Sequence, residues 1–272
     1  MDPLDNPFSP GVGPTYWRKF DGGVSDEARV KQVVEWLSLP AEKRLHFITL
    51  YFGEVDAAGH RFGAESLETA SAALEVDRIL GKLRQEVDAT KLPVNLISVS
   101  DHGMQDVTDG WISLAGVFDG LKAHAEADGP VALIYCQDPE TVEKTYRKLA
   151  KNSRIGVYRR EETPAWWHFK DNPRGGDLVA IVKGAAVFTL SDPDARRRSV
   201  NPPQGEHGYD PRKFQSMHAI FYAIGPNIRR ETRIPSCENV NVYPLIARIL
   251  SLKLAGEVDG SESVLDPIYR PL

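Results

Sequence analysis

Apolar residues along this chain recur in two rhythms, and each predicts its own kind of element. Val30, Val33, Val34 and Leu37 return every three or four positions behind Ser25, Asp26 and Glu27 and stop before Pro40, which predicts a capped amphipathic helix. A longer stripe of Val76, Ile79, Leu80, Leu83 and Val87, opening near Ser66, predicts a second helix. Val142, Tyr146 and Leu149 predict a third, and Leu245, Ile249 and Leu252 a closing one that starts at Val242. Between them lie short unbroken apolar runs: Leu45 to Phe52, Val94 to Val99, Val131 to Cys136, Asp177 to Gly184 and MHAIFYAIGP. Runs of that length predict buried strands.

Strand, helix and strand from Leu45 to Val99 predict a right-handed parallel crossover, and with it an α/β domain whose sheet is mainly parallel and sandwiched by helices. The stretch from about residue 120 to 170 predicts a small inserted α+β subdomain. Residues 1 to 24, rich in turn formers but carrying Phe8, Tyr16, Trp17 and Phe20, predict an ordered connection. Trp166 and Trp167 predict side chains on opposite sides of an extended chain. Arg196, Arg197 and Arg198, in a Pro-rich segment, read as a solvated loop rather than a phosphate clamp.

Composition narrows the picture. A chain of 272 residues suffices for one large domain with a substantial core. The formal net charge of −5 gives no general attraction to nucleic-acid backbones, so any phosphate chemistry needs a local charge such as a metal ion. Only two cysteines occur, Cys136 and Cys237, with no CxxC spacing, and they predict buried free thiols. The start MDPLDNPFSP lacks a basic and apolar leader pattern, and no run is long enough to span a bilayer.

Three stretches carry the candidate chemistry. The central one, VNLISVSDHGM, ends an apolar run on Asp101, His102 and Gly103; EVDAAGH places Asp56 and His60 after another; QGEHGYD supplies His207 between Gly205 and Gly208. Ligands gather at strand C-termini in open α/β sheets, and aspartate with neutral histidine suits a zinc-like divalent ion. Asp56 and His60 are four apart, so one turn of helix puts both on one side. With His207 they make three ligands and leave a position open, the pattern of a catalytic rather than a structural zinc. Asp101 and His102 offer two ligands to a second ion, which needs a further carboxylate. Two ions about 4 Å apart clamp the attacking and leaving oxygens of a phosphoryl centre. Each histidine alone reads more often as a satisfied imidazole, three such stretches together change that, and His46, His124, His168 and His218 are left as structural or surface residues. Met104 reads as packing.

TLYFGEVDAAGH, LISVSDHGM and GEHGYD resemble, in order and spacing, the metal-binding motifs of the nucleotide pyrophosphatase/phosphodiesterase family of the alkaline phosphatase superfamily. PTYWRKFDGGVSDEARVKQVVEWLSLP, VYRREETP, NPRGGDLVAIV and SMHAIFYAIGPNI extend the likeness from about residue 14 to the end. The resemblance implies an alkaline-phosphatase-like fold and a two-zinc hydrolase of phosphodiester and pyrophosphate bonds in nucleotides or related phosphodiesters, acting through a phospho-threonine. It assigns Asp56, His60 and His207 to the first zinc and Asp101 with His102 to part of the second. It puts Phe20, with Tyr51 nearby, where nucleotide-cleaving members stack the base, and core packing is the competing reading for both rings.

The resemblance also implies a first strand with another Asp ligand and a turn with the threonine nucleophile, ahead of the stretch that matches Pro14. Neither is found in these 272 residues, and Thr15, Thr49 and Ser100 stand where the family has no nucleophile. The chain therefore reads as a C-terminal portion of such an enzyme, inactive alone, with a separate N-terminal segment as a partner or the chain itself as a truncated product. Two other readings stay open: a catalytically inactive metal- or nucleotide-binding module, and a phosphomonoesterase or sulfatase-like relative. Relatives are commonly extracytoplasmic, whereas this stretch shows no signal peptide.

Overall fold

The computed structural model describes residues 13–170, 172, 174–191, 202–254 and 256–271. The start of the first connection and the Arg196–Arg198 loop lie outside them. The chain divides into two units, Met1–Leu50 and Tyr51–Leu272.

The first unit contains helix α1 (Asp26–Leu37), where Ser25 caps the N-terminus by accepting from the Ala28 N–H. Val30, Val33 and Leu37 are its buried face, and Tyr16 stacks on Trp36 with ring centroids 6.2 Å apart.

In the second unit, helices α2 (Glu54–Phe62) and α3 (Leu67–Ala89) follow one another closely. Gly63 ends α2 with φ of +96°, a backbone state that favours glycine, and the next amide, Ala64 N–H, donates to Asp106 at 2.6 Å. Ser66 caps α3 by accepting from Thr69 N–H, and Ile79, Leu83 and Val87 form the buried stripe at helical spacing.

Ten strands follow among the described residues: β1 (Leu96–Val99), β2 (Gln105–Asp106), β3 (Trp111–Ser113), β4 (Ala123–Asp128), β5 (Val131–Cys136), β6 (Ile155–Arg159), β7 (Leu178–Val182), β8 (Val187–Thr189), β9 (Gly205–Glu206) and β10 (Phe221–Ile224). A four-stranded antiparallel sheet in the order β4-β5-β7-β6 carries helix α4 (Pro139–Ala150). Its core is Ile134, Leu149, Leu178 and Ala180, and burying each large aliphatic chain stabilises by about 1.5–3 kcal/mol. The sheet thus takes in β7, beyond the strand, helix and strand foreseen before residue 170. β3 and β8 pair in parallel and the other strand pairings among the described residues are antiparallel. The mainly parallel sheet expected from the sequence gives way to mostly antiparallel pairing, because the direction of a ladder is set by its partner strand, which for β1 and β2 lies far along the chain. The predicted closing helix is α5 (Val242–Ile249), packed through Leu245 on Leu265 and Ile268. No helix among the described residues is long and apolar enough to cross a membrane.

Several expectations change. Leu45 to Phe52 joins no ladder among the described residues, and Phe47 and Tyr51 are 56% and 55% exposed rather than buried. A β-rich run becomes a strand only when a neighbouring strand pairs with its backbone. The parallel crossover to β1 is therefore not formed. The ladder partner of β1 is β10, and its Val99 is exposed. Trp166 and Trp167 sit in a tight 3-10 turn with their rings edge to face at 5.9 Å, because the chain folds back at His168 in a left-handed conformation. Both cysteines are free, but Cys136 is only half-buried and Cys237 is exposed.

Candidate metal centre

The short β2–β9 ladder builds the site. β2 begins two residues after Gly103, β9 ends one residue before His207, and pairing Gln105 with Glu206 brings the two loops together. Helix α2 is tied to the same place, since Gln204 N–H donates to the His60 carbonyl at 2.9 Å. Gly103 passes so close to Ser216 that a side chain there would overlap its carbonyl oxygen, and Gly103 N–H donates to Met217 O at 3.1 Å. Met104 packs on Gly59 in α2.

All five expected ligands converge within this second unit. Helical spacing puts Asp56 Oδ1 3.4 Å from His60 Nε2, and His207 Nε2 lies 3.9 Å from the same oxygen. The His207 ring stands 5.0 Å from His60 and stacks on His102 at 3.5 Å, centroid to centroid. Asp101, largely exposed, reaches His102 Nε2 at 3.5 Å. Two groups among the described residues are compact enough to hold a metal ion: Asp56, His102 and His207, and His60, Glu206 and His207.

Proton placement tests whether these residues suit a cation. His60 Nδ1 lies 3.0 Å from the Gly205 carbonyl, which can only accept, so the ring proton belongs on Nδ1 and the lone pair on Nε2. His102 is fixed in the same way by Gly103 O at 2.9 Å. His60 Nε2 therefore faces Asp56 Oδ1 acceptor against acceptor, and that oxygen is shielded from solvent without a hydrogen-bond partner. Converging lone pairs around a shielded carboxylate oxygen are unfavourable unless a cation lies among them. Burial, reinforced by the neighbouring His102, holds His207 below the usual histidine range, which favours the neutral ligand form. The residues fit a metal ion.

Phe20 belongs to the first unit, 59% exposed, with the Arg29 guanidinium 4.9 Å from its ring centroid. Tyr51 opens the second unit; burial, then the Asp56, Asp101 and Glu54 carboxylates, push its hydroxyl above the ordinary tyrosine value.

Glu206 escaped the sequence reading. Successive residues of a strand face opposite ways, so an acid directly before a ligand is expected on the far side. β9 is only two residues long, and Glu206 Oε1 turns back to accept from the His207 N–H at 3.1 Å.

Known proteins match this chain along its length. The model of the family "Type I phosphodiesterase / nucleotide pyrophosphatase" matches residues 4–210. The venom phosphodiesterase CdcPDE of Crotalus durissus collilineatus is 32% identical over 278 residues, covering 96% of this chain and 33% of the relative. Mouse ectonucleotide pyrophosphatase/phosphodiesterase family member 1 is also 32% identical, over 96% of this chain and 30% of its own length. The chain thus spans about a third of the length of these relatives. Among solved structures, an inactive variant of murine ectonucleotide pyrophosphatase/phosphodiesterase 5 in complex with AMP superposes with a TM-score of 0.83 at 30% identity. That match covers 95% of this chain and 67% of the other. Sequence and architecture agree with the α/β, alkaline-phosphatase-like expectation, and the chain belongs to the type I phosphodiesterase / nucleotide pyrophosphatase family, a family of enzymes.

Proposed function

We propose that this chain is a single partial catalytic domain, carrying the metal-binding part of a two-zinc hydrolase of phosphodiester or pyrophosphate bonds in nucleotides or related phosphodiesters. The observation that carries the reading is the shielded Asp56 Oδ1, facing His60 Nε2 at 3.4 Å and His207 Nε2 at 3.9 Å. Asp56, His60 and His207 would hold the first ion, and Asp101 with His102 would contribute to the second. Bound zinc supplies Lewis-acid stabilisation of charge on phosphoryl oxygens. The protein's own work is to present imidazole Nε2 atoms and a carboxylate at fixed positions, through the Gly205 and Gly103 carbonyls and the β2–β9 ladder. Tyr51, in the second unit, is proposed to face the nucleoside part of the substrate, and Phe20 is proposed as a substrate-binding residue on the resemblance alone.

Among the described residues, no hydroxyl is proposed to take the place of the threonine nucleophile. Ser100, the hydroxyl nearest the motif in sequence, accepts from Ile220 N–H at 2.9 Å and serves the backbone there. The chain alone is therefore proposed to be inactive and to gain turnover with a segment bearing the nucleophile and the remaining carboxylate. The test is hydrolysis of a nitrophenyl phosphodiester, with and without that segment. Turnover only in the complemented protein supports the reading. A well-folded, zinc-loaded complex that stays inert favours the second reading, a metal- or nucleotide-binding module.

A further inference from the structure

Glu206 is an acid with an unusual setting. Its side chain is 13% exposed, and it lies beneath the β4–β5 turn, where a Cβ on Gly129 would come within 2.8 Å of Glu206 Cγ. That turn is fixed in place by Phe188 N–H donating to Gly129 O at 2.8 Å. The carboxylate is thus held down over the site. Oε1 accepts the His207 N–H at 3.1 Å and stands 3.5 Å from His60 Nδ1 and 3.8 Å from His207 Nε2.

We propose that Glu206 is a positioning residue of the metal centre. Together with Gly205 O it surrounds His60 Nδ1 with acceptors, keeps the ring proton there, and leaves Nε2 to the cation. Through the His207 amide it also fixes the loop that carries the third ligand. A carboxylate on the far nitrogen of a metal-binding imidazole raises the basicity of the ligand and sets its orientation. The inference rests on the proposed metal centre.

The test compares the full chain with Glu206→Gln, which keeps the shape and an acceptor oxygen but removes the charge, and with Asp56→Ala as a ligand-loss reference. Zinc affinity is read by competition with a chromophoric chelator. Glu206→Gln is expected to weaken binding by about 10–100-fold, less than Asp56→Ala. In zinc-free protein, nitrogen-15 spectra of the imidazoles are expected to show His60 protonated on Nδ1 in the parent, with a mixture of tautomers in the variant. Unchanged affinity and an unchanged His60 tautomer in Glu206→Gln would overturn the proposal, as would a parent in which Nε2 carries the proton. A parent that binds no zinc defeats the metal centre instead, and the zinc-free spectra still decide what Glu206 does to His60.

Discussion

Gly205 runs so close to Gly59 that a side chain on Gly205 would overlap the Gly59 carbonyl oxygen, which brings helix α2 and strand β9 into direct backbone contact. His60 and His207 are each one or two residues from this contact. Gly205→Ala is therefore expected to cost about 1–3 kcal/mol of stability by overpacking. It should also weaken zinc binding, since it pushes apart the elements that carry the two imidazoles. Denaturant midpoints and chelator competition check both, and a variant with parental values for each would show that the contact does not set the site.

Asp56 should behave oppositely with and without metal. Its Oδ1 is shielded, lacks a hydrogen bond and lies near the His60 and His207 ring nitrogens, so the zinc-free fold bears an unsatisfied carboxylate oxygen. Asp56→Asn should stabilise the zinc-free fold by on the order of 1 kcal/mol, raising the melting temperature in chelator, and lower the melting temperature in zinc. Destabilisation of equal size in both conditions would contradict the assignment.

His168 predicts a pH dependence remote from the metal centre. Its ring lies between Glu238 at 3.3 Å and Asp259 at 3.1 Å, and these partners, Glu238 foremost, hold its pKa above the usual histidine value. A histidine whose folded pKa is raised contributes stability that is complete below its unfolded value, about 6.5, and is lost as pH rises through the folded value. The effect should be at most about 1 kcal/mol, because both acids are exposed. Denaturant midpoints of the parent and His168→Gln should converge toward alkaline pH and separate toward pH 6. A gap that stays constant with pH would remove the ion-pair account.

Leu45 to Leu50 forms no strand among the described residues. Hydrogen exchange there should be fast in the isolated chain and slow once the proposed segment is bound. Protection in the isolated chain would mean that this run finds a partner of its own.

Much of this architecture was legible from pattern. Ser25 and Ser66 announced α1 and α3 because a hydroxyl acceptor in front of an apolar stripe is a local signal. The i, i+4 spacing of Asp56 and His60 was enough to put both on one side of α2. Strand pairing was less accessible. Leu45 to Phe52 has strand composition, but a ladder depends on a neighbour distant in sequence, and the same holds for the antiparallel union of β1 with β10. Glu206 was hidden for a second reason: alternation holds inside a strand and fails where a two-residue strand ends.

The most direct test is the zinc content of the purified chain, without added metal, beside that of Asp56→Ala and His207→Ala, with phosphodiesterase activity read on the same samples. The account predicts roughly one zinc per parent chain, its loss in both variants, and no turnover before complementation. Equal zinc in parent and variants, or none in the parent, would contradict it.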